Sequence, residues 1–125
     1  MGATMDAIRR RLEQQLKRAY APYSGFRVAA ALETDAGTLV LGCNVENASF
    51  GLGLCAERVA LFRALAEGHR KFSRLYLLTT DRQPVAPCGA CCEALRQIAP
   101  GLAIHMFGAA SKNAVESSLA ELLPG

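Results

Sequence analysis

The chemistry legible in this chain rests on three cysteines and a glutamate: Cys55-Ala56-Glu57 and, 33 residues after the first thiol, Pro87-Cys88-Gly89-Ala90-Cys91. Three thiols at C…C-x-x-C spacing can supply three ligands to a tetrahedral Zn²⁺ and leave its fourth position open, the arrangement of a catalytic zinc and not of a closed structural one. Glu57 then stands two residues from the first ligand, where a carboxylate can handle the protons of a water in the open position. It can take a proton from that water and return it to a ring nitrogen and a leaving amine, which fits hydrolytic deamination of an amidine-like carbon such as C4 of cytosine. A lone C-x-x-C also serves redox pairs and structural zinc sites. Redox chemistry would leave the upstream cysteine and the glutamate without a role.

These groups meet only if two distant segments are brought together. The spacing of Ile8, Leu12, Leu16 and Ala19 predicts a helix over residues 5–19, stopped before Pro22, with a turn-rich loop over 20–25. Residues 28–32 and 38–43 read as strands joined at Asp35-Ala36-Gly37, a hairpin signal. Residues 44–54 form a loop that delivers the chain to a helix over about 55–67, ending near Gly68. A buried strand over 75–80, a loop over 81–87 and a helix over 88–98 follow, the last stopping before Pro100-Gly101. A strand over 102–107 and a closing helix over 115–123, with Val115, Leu119, Leu122 and Leu123 as its apolar face, complete the order αββαβαβα. That order predicts a mixed sheet covered by helices on both faces.

On this layout Cys55 and Cys88 both fall at the first turn of a helix, where free backbone N–H groups and the positive end of the helix dipole favour a thiolate. Cys91 lies one turn on from Cys88. Three thiolates on Zn²⁺ leave a net charge of −1, and Arg58 is the nearest cation in sequence to offset it. Cys92 points about 100° around the helix from Cys91. Cys43 reads as a buried small hydrophobe, and His69 and His105 as packing or surface residues.

Composition bounds the rest. The 125 residues, 51% of them apolar, read as a single domain over 1–125. The net charge of +3 comes from 14 basic and 11 acidic residues, and the densest cluster, Arg9-Arg10-Arg11, reads as a solvated helix face. Without a longer basic run or interleaved aromatics, no nucleic-acid partner is expected. Neither a stretch of about 18 apolar residues nor a signal-peptide core is present, so no membrane partner is expected and the protein is expected in the cytoplasm. Five cysteines cannot all pair, and in a reducing compartment C-x-x-C reads as a metal or redox motif.

Taken in order, Pro22-Tyr23-Ser24-Gly25-Phe26, residues 28–32, residues 42–51 (Gly-Cys-Asn-Val-Glu-Asn-Ala-Ser-Phe-Gly), Cys55-Ala56-Glu57-Arg58 and Pro87-Cys88-Gly89-Ala90-Cys91 resemble the cytidine deaminase family of the small homotetrameric type. The similarity spans residues 20–98 and returns in Leu122-Leu123-Pro124. It implies a three-layer α/β/α sandwich around a five-stranded mixed sheet, one Zn²⁺ per subunit, a free nucleoside as substrate, and a homotetramer whose active sites are shared between subunits. Carried over by position, it assigns Cys55, Cys88 and Cys91 to the metal and Glu57 to proton shuttling. It also assigns Asn44 and Glu46 to the ribose hydroxyl, Phe26 to packing on the pyrimidine, and the Ala56 N–H to the base carbonyl or the zinc-bound oxygen.

Three departures stand out. The second ligand pair is followed by Cys92-Glu93 where the family has Arg-Gln, Ala29 stands for a usual glycine, and the sequence reaches Gly125 where the family continues to an aromatic that helps wall a neighbouring subunit's pocket. Either another aromatic takes its place, with Phe50 the nearest candidate on a loop, or the pocket is more open and the substrate less tightly held. The expected activity is deamination of cytidine and deoxycytidine. The alternatives are a deaminase of a modified cytosine nucleoside of the blasticidin S type, and a non-catalytic zinc-binding module.

Overall fold

The computed structural model describes residues 4–110 and 113–122. The sheet starts at one edge with the hairpin of β1 (Val28–Thr34) and β2 (Leu39–Cys43), turned at Asp35-Ala36-Gly37, with Thr34 N–H donating to the Thr38 carbonyl at 2.9 Å. β3 (Phe72–Thr79) pairs antiparallel with the other edge of β1, and β4 (Ala103–Phe107) lies parallel to β3, reached through the crossover helix α3 (Gly89–Ile98). β5 (Val115–Ser118) returns antiparallel to β4, giving the order β2-β1-β3-β4-β5. The five-stranded mixed sheet is therefore the one the family resemblance implies.

Alternation along the strands divides the sheet into two apolar faces. On one, Ala29, Ala31, Tyr76, Leu78 and Phe107 receive Ile8 and Leu12 of α1 (Met5–Leu16), whose first turn is capped by Thr4 Oγ1 accepting from the Ala7 N–H at 3.2 Å. On the other, Ala30, Leu32, Leu75, Leu77 and Ile104 pack under α2 (Ala56–Ala66), α3 and the single turn α4 (Leu119–Leu122). The expected helix ends at Leu16 and not Ala19, with Lys17 as its cap, although Ala19 is still buried. Of the three arginines expected to be solvated, Arg10 and Arg11 are exposed, whereas Arg9 folds back over the Phe107 ring, 5.2 Å from its centroid. β3 begins at Phe72, three residues before the apolar run, because Arg74 and Phe72 extend the pairing to Glu33 and Thr34 at the sheet's exposed end.

The segment read as one closing helix is a strand followed by a helical turn. Residues 103–106 of β4 have an edge whose backbone groups need partners, and Val115–Ser118 supplies them, Ala103 opposite Ser118 and Met106 opposite Val115. Val115 is consequently half-exposed, while Leu119 is buried against the core and Leu122 partly so. The start of α4 is marked by Ser118, whose Oγ accepts from the Glu121 N–H at 3.3 Å as an N-cap. Leu123, Pro124 and Gly125 lie outside the described residues, and of Phe50 the structure describes only the backbone, in a 3₁₀ turn over Phe50–Leu52.

What positions the site is the approach of α2 to the sheet. Ala56, Ala60 and Ala64 form a stripe of small, fully buried residues on the helix, and it lies over Gly42 of β2. A Cβ at Gly42 would come within 2.5 Å of the Ala60 nitrogen and 2.8 Å of the Ala56 carbonyl oxygen, both backbone atoms that side-chain rotation cannot clear. At the far end of α2, Gly68 takes φ +97° and ends the helix as the sequence predicts. Gly42→Ala should therefore push α2 off the sheet and lower stability by about 1–3 kcal/mol, the usual penalty of overpacking. Urea unfolding followed by circular dichroism measures it, and an unchanged midpoint would show that α2 does not need this close contact.

Candidate active site

The end of β2, the end of β3 and the start of β1 lie at the same edge of the sheet, since Cys43 pairs with Ala29 and Thr79 with Val28. Both α2 and α3 begin there, so their free N–H groups converge beside the change of strand direction between β1, β3 and β4, where open α/β sheets place their clefts. Cys55 is the N-cap of α2 and Cys88 the N-cap of α3, each one residue before the helical turn that the sequence predicts. The Cys91 N–H donates to Cys88 Sγ at 3.5 Å, which makes the sulfur itself the capping group.

The sulfurs of Cys55, Cys88 and Cys91 all lie within 4.8 Å of one another, with 3.8 Å between Cys55 and Cys88 and 3.3 Å between Cys88 and Cys91. Two sulfurs each about 2.3 Å from a tetrahedral zinc would stand about 3.8 Å apart, so the donor set fits Zn²⁺ in both chemistry and size. Cys92, by contrast, turns into the core, 2% exposed, with its thiol directed at the Pro87 carbonyl 3.8 Å away. Cys43 is likewise buried, as expected. The two histidines are elsewhere: His105 stacks on Tyr76 on the α1 side of the sheet, ring centroids 5.0 Å apart.

Electrostatics favour a thiolate at Cys55. Its pKa falls to about 5, chiefly through the neighbouring Cys91 thiol, with Arg58 and Cys88 adding to the effect, while Cys91 is pushed up by the same contact and by burial. The Arg58 guanidinium approaches Cys55 Sγ at 3.7 Å, and its Nε is buried without a hydrogen-bond partner. Glu93, the acid that stands where the family has an amide, does not face the cluster. It lies on the exposed side of α3 and pairs with Arg96 at 2.9 Å. Compensation of the sulfur charge thus falls to Arg58 and the two helix starts. Glu57, in the first turn of α2, is 5% exposed, and burial raises its carboxyl pKa, with the charge on Cys55 adding to the shift.

Two adjoining hollows open here, sharing Asn44 and Cys55. One, of about 220 Å³, has Phe26, Val28, Leu77 and Val85 as apolar wall and Glu57, Ala56 and Cys88 on its other side. The other, of about 350 Å³, is bordered by Glu46, Asn44 and Arg58. Apart from Phe50, of which only the backbone is described, the residues that the sequence singles out for the site are gathered here. The structure adds a duty that sequence reasoning missed. Asn44 Oδ1 accepts from the Val28 N–H at 2.9 Å and its Nδ2 donates to the Phe26 carbonyl at 2.8 Å. Glu46 Oε1 accepts from the N–H groups of Tyr23 and Ser24 at 3.0 and 3.1 Å, and its Oε2 from the Ser24 hydroxyl. The pair fastens the loop that carries Phe26, and the turn-forming Tyr23-Ser24-Gly25 was the available signal. Thr79, at the end of an apolar strand, was also missed. It is buried on the wall of the smaller hollow with its hydroxyl unpaired.

Comparison with known proteins agrees with this geometry. The family model described as the cytidine and deoxycytidylate deaminase zinc-binding region matches residues 4–106. A cytidine deaminase of Halalkalibacterium halodurans is 42% identical over 107 residues, covering 86% of this chain and 81% of that one; a cytidine deaminase of Sporosarcina psychrophila is 38% identical over 109 residues, covering 87% and 80%. Among solved structures, cytidine deaminase from Burkholderia pseudomallei superposes with a TM-score of 0.91 at 41% identity over 98% of each chain, and that from Mycobacterium leprae with 0.83 at 31% identity over 98% and 99%. The fold and the three-thiol site define a zinc-binding α/β/α enzyme. The chain belongs to the cytidine and deoxycytidylate deaminase family. Among the described residues, no helix is long and apolar enough to cross a membrane.

The Glu46 latch yields a pH dependence. Its carboxyl is held below the ordinary 4.5, chiefly by the Ser24 hydroxyl. A lowered carboxylate pKa means that the latch is fully made above about 4.5 and released as the pH falls through the lower folded value. Hydrogen exchange at the Tyr23 and Ser24 amides should lose protection over that acid range, and Glu46→Gln should weaken protection already at neutral pH. Equal protection in the variant would show that the loop is held by other contacts.

Proposed function

We propose that this chain is a hydrolytic deaminase of cytidine and deoxycytidine, yielding uridine or deoxyuridine and ammonia, with Zn²⁺ held by Cys55, Cys88 and Cys91. The observation that carries this reading is the buried Glu57 carboxyl beside three converging sulfurs, at the edge of a hollow of pyrimidine size. The relatives named cytidine deaminase, matched over most of their length, support it. Zinc, when bound, supplies a Lewis acid that makes water a nucleophile near neutral pH.

The chain's own residues do the rest. Glu57, its carboxyl pKa raised by burial, takes one proton from water as C4–O forms and delivers it to the ring nitrogen, then passes the proton of the new C4 hydroxyl to the amine, which leaves as ammonia when C4–N breaks. The base fits the smaller hollow, with Phe26 against its face and the Ala56 N–H, free at the start of α2, available to the base carbonyl. The sugar fits the larger hollow. Asn44 and Glu46 keep a spare N–H and spare lone pairs after fastening the loop, enough to hold a ribose hydroxyl. Arg58 offsets the sulfur charge.

The reading includes a single domain over 1–125 in the cytoplasm, supported by five cysteines that are all unpaired. It also includes a homotetramer with shared active sites. Tyr20, Tyr23, Val45, Leu52 and Leu54 stand exposed around the larger hollow and Phe62 on α2, an apolar rim that a second copy would cover. Light scattering should give four times the 13.3 kDa chain mass; a monomer would remove the shared site.

The activity test is a spectrophotometric assay on cytidine, deoxycytidine, cytosine and blasticidin S, run with zinc analysis of variants. Cytidine and deoxycytidine should turn over, and free cytosine should fall behind by at least about 10²-fold because the sugar contacts are lost. Glu57→Gln should keep zinc and lose roughly 10²–10⁴-fold in kcat, whereas Cys88→Ser should lose the metal and Cys92→Ser should retain it. Preference for blasticidin S would transfer the reading to a modified nucleoside, and full zinc in Cys88→Ser would sink the ligand assignment.

A further inference from the structure

Thr79 closes β3 on the face that carries Leu75 and Leu77, opposite Val28. It is 1% exposed, yet its Oγ1 has no hydrogen-bond partner. The next residue shows the ordinary outcome for a threonine at this strand end: Thr80 Oγ1 accepts from the Arg27 N–H at 3.2 Å. An unpaired buried hydroxyl is a net cost to folding, and valine has the same shape, suits a strand at least as well and carries no such cost. The hydroxyl therefore needs a reason outside the folded chain.

That reason lies in what Thr79 faces. It lines the smaller hollow together with Glu57, and it is the one hydroxyl-bearing side chain among the described residues there. Phe26, Val28, Leu77 and Val85 make an apolar wall, Cys55 and Cys88 belong to the metal site, and the Asn44 amide, bonded to the Val28 N–H and the Phe26 carbonyl, has its one spare N–H assigned to the sugar. Building on the cytosine-nucleoside reading above, we propose that the Thr79 hydroxyl is a substrate contact that hydrogen-bonds the amidine edge of the pyrimidine and fixes the ring beside Glu57. The chemistry of that edge explains the choice of group. The substrate presents a ring-nitrogen acceptor and an amino donor, and the product presents a ring N–H donor and a carbonyl acceptor, so the polarity reverses during the reaction. A rotatable hydroxyl donates to one and accepts from the other, which an ionised carboxylate cannot do.

The test compares Thr79→Val and Thr79→Ser in the zinc-loaded protein. Thr79→Val should keep its zinc and melt at the same temperature or higher, while kcat/KM for cytidine falls about 10–100-fold and inhibition by uridine weakens by a similar factor, the loss expected when a hydrogen bond to the base goes. Thr79→Ser should restore kcat/KM to within about threefold of the parent. A Val variant with unchanged kcat/KM, a Val variant that melts several degrees lower, or a Ser variant as impaired as Val would each overturn the proposal. An active parent with an unaffected Val variant refutes Thr79 alone. A parent inert towards cytidine refutes the functional reading, and this contact with it.

Discussion

The site depends on how close one helix can come to the sheet. Glycine on β2 and alanines at every fourth position of α2 remove the side-chain layer that normally separates a helix from a strand, so backbone meets backbone. The gain is positional precision. Cys55 and Glu57 lie in the first turn of a helix whose height above the sheet is set by main-chain contact and not by side chains that repack. The proton transfer proposed for Glu57 requires a carboxylate held to within fractions of an ångström, and rigid elements do this better than loops.

Sulfur electrostatics form the second layer of the arrangement. Three thiols within 4.8 Å would repel one another if all ionised, and in the metal-free chain they share their protons unequally, Cys55 favouring the thiolate and Cys91 the thiol. A cation resolves this frustration, because metal binding replaces thiol protons. Two helix starts and the Arg58 guanidinium lower the cost of the negative charge from outside. The replacement of the family's Arg-Gln by Cys92-Glu93 changes less than its charge implies, since Cys92 joins the core and Glu93 pairs with Arg96 on the solvent side of α3. Helical periodicity decides this outcome: one residue further along the helix is a different face.

The convergence of the three thiols and Glu57 was legible because its signals are local. Cysteine spacing, a glutamate two residues on, and loops that break before periodic segments are all short-range, and they place Cys55, Glu57, Cys88 and Cys91 at helix starts. The framework strands were legible for the same reason. What the sequence concealed is long-range or ambiguous. Val115 and Leu119 sit at helical spacing, yet the first belongs to an edge strand whose formation depends on the unpaired side of β4, although the Ser118-x-x-Glu121 cap did mark where the helix starts. Glu46 and Ser24 are 22 residues apart, and Tyr23-Ser24-Gly25 signals a turn without naming the side chain that fastens it. Thr79 looks like any strand threonine, and only its burial without a partner distinguishes it.

The topology also orders events in time. The antiparallel trio of β2, β1 and β3 is complete once residue 79 has been made, and the last of the three thiols follows at residue 91, before either β4 or β5 exists. A chain emerging from the ribosome therefore presents all three sulfurs while the parallel half of the sheet is still missing. Antiparallel neighbours joined by a short turn form early, whereas the β3–β4 pair must wait for a whole crossover helix. Metal capture and sheet closure are in this sense separable during synthesis. A cell short of zinc would be expected to accumulate a nascent chain whose two cysteine-capped helix starts lack the ion that ties them together, at the stage when the β3 edge is still uncovered and most open to pairing with another chain.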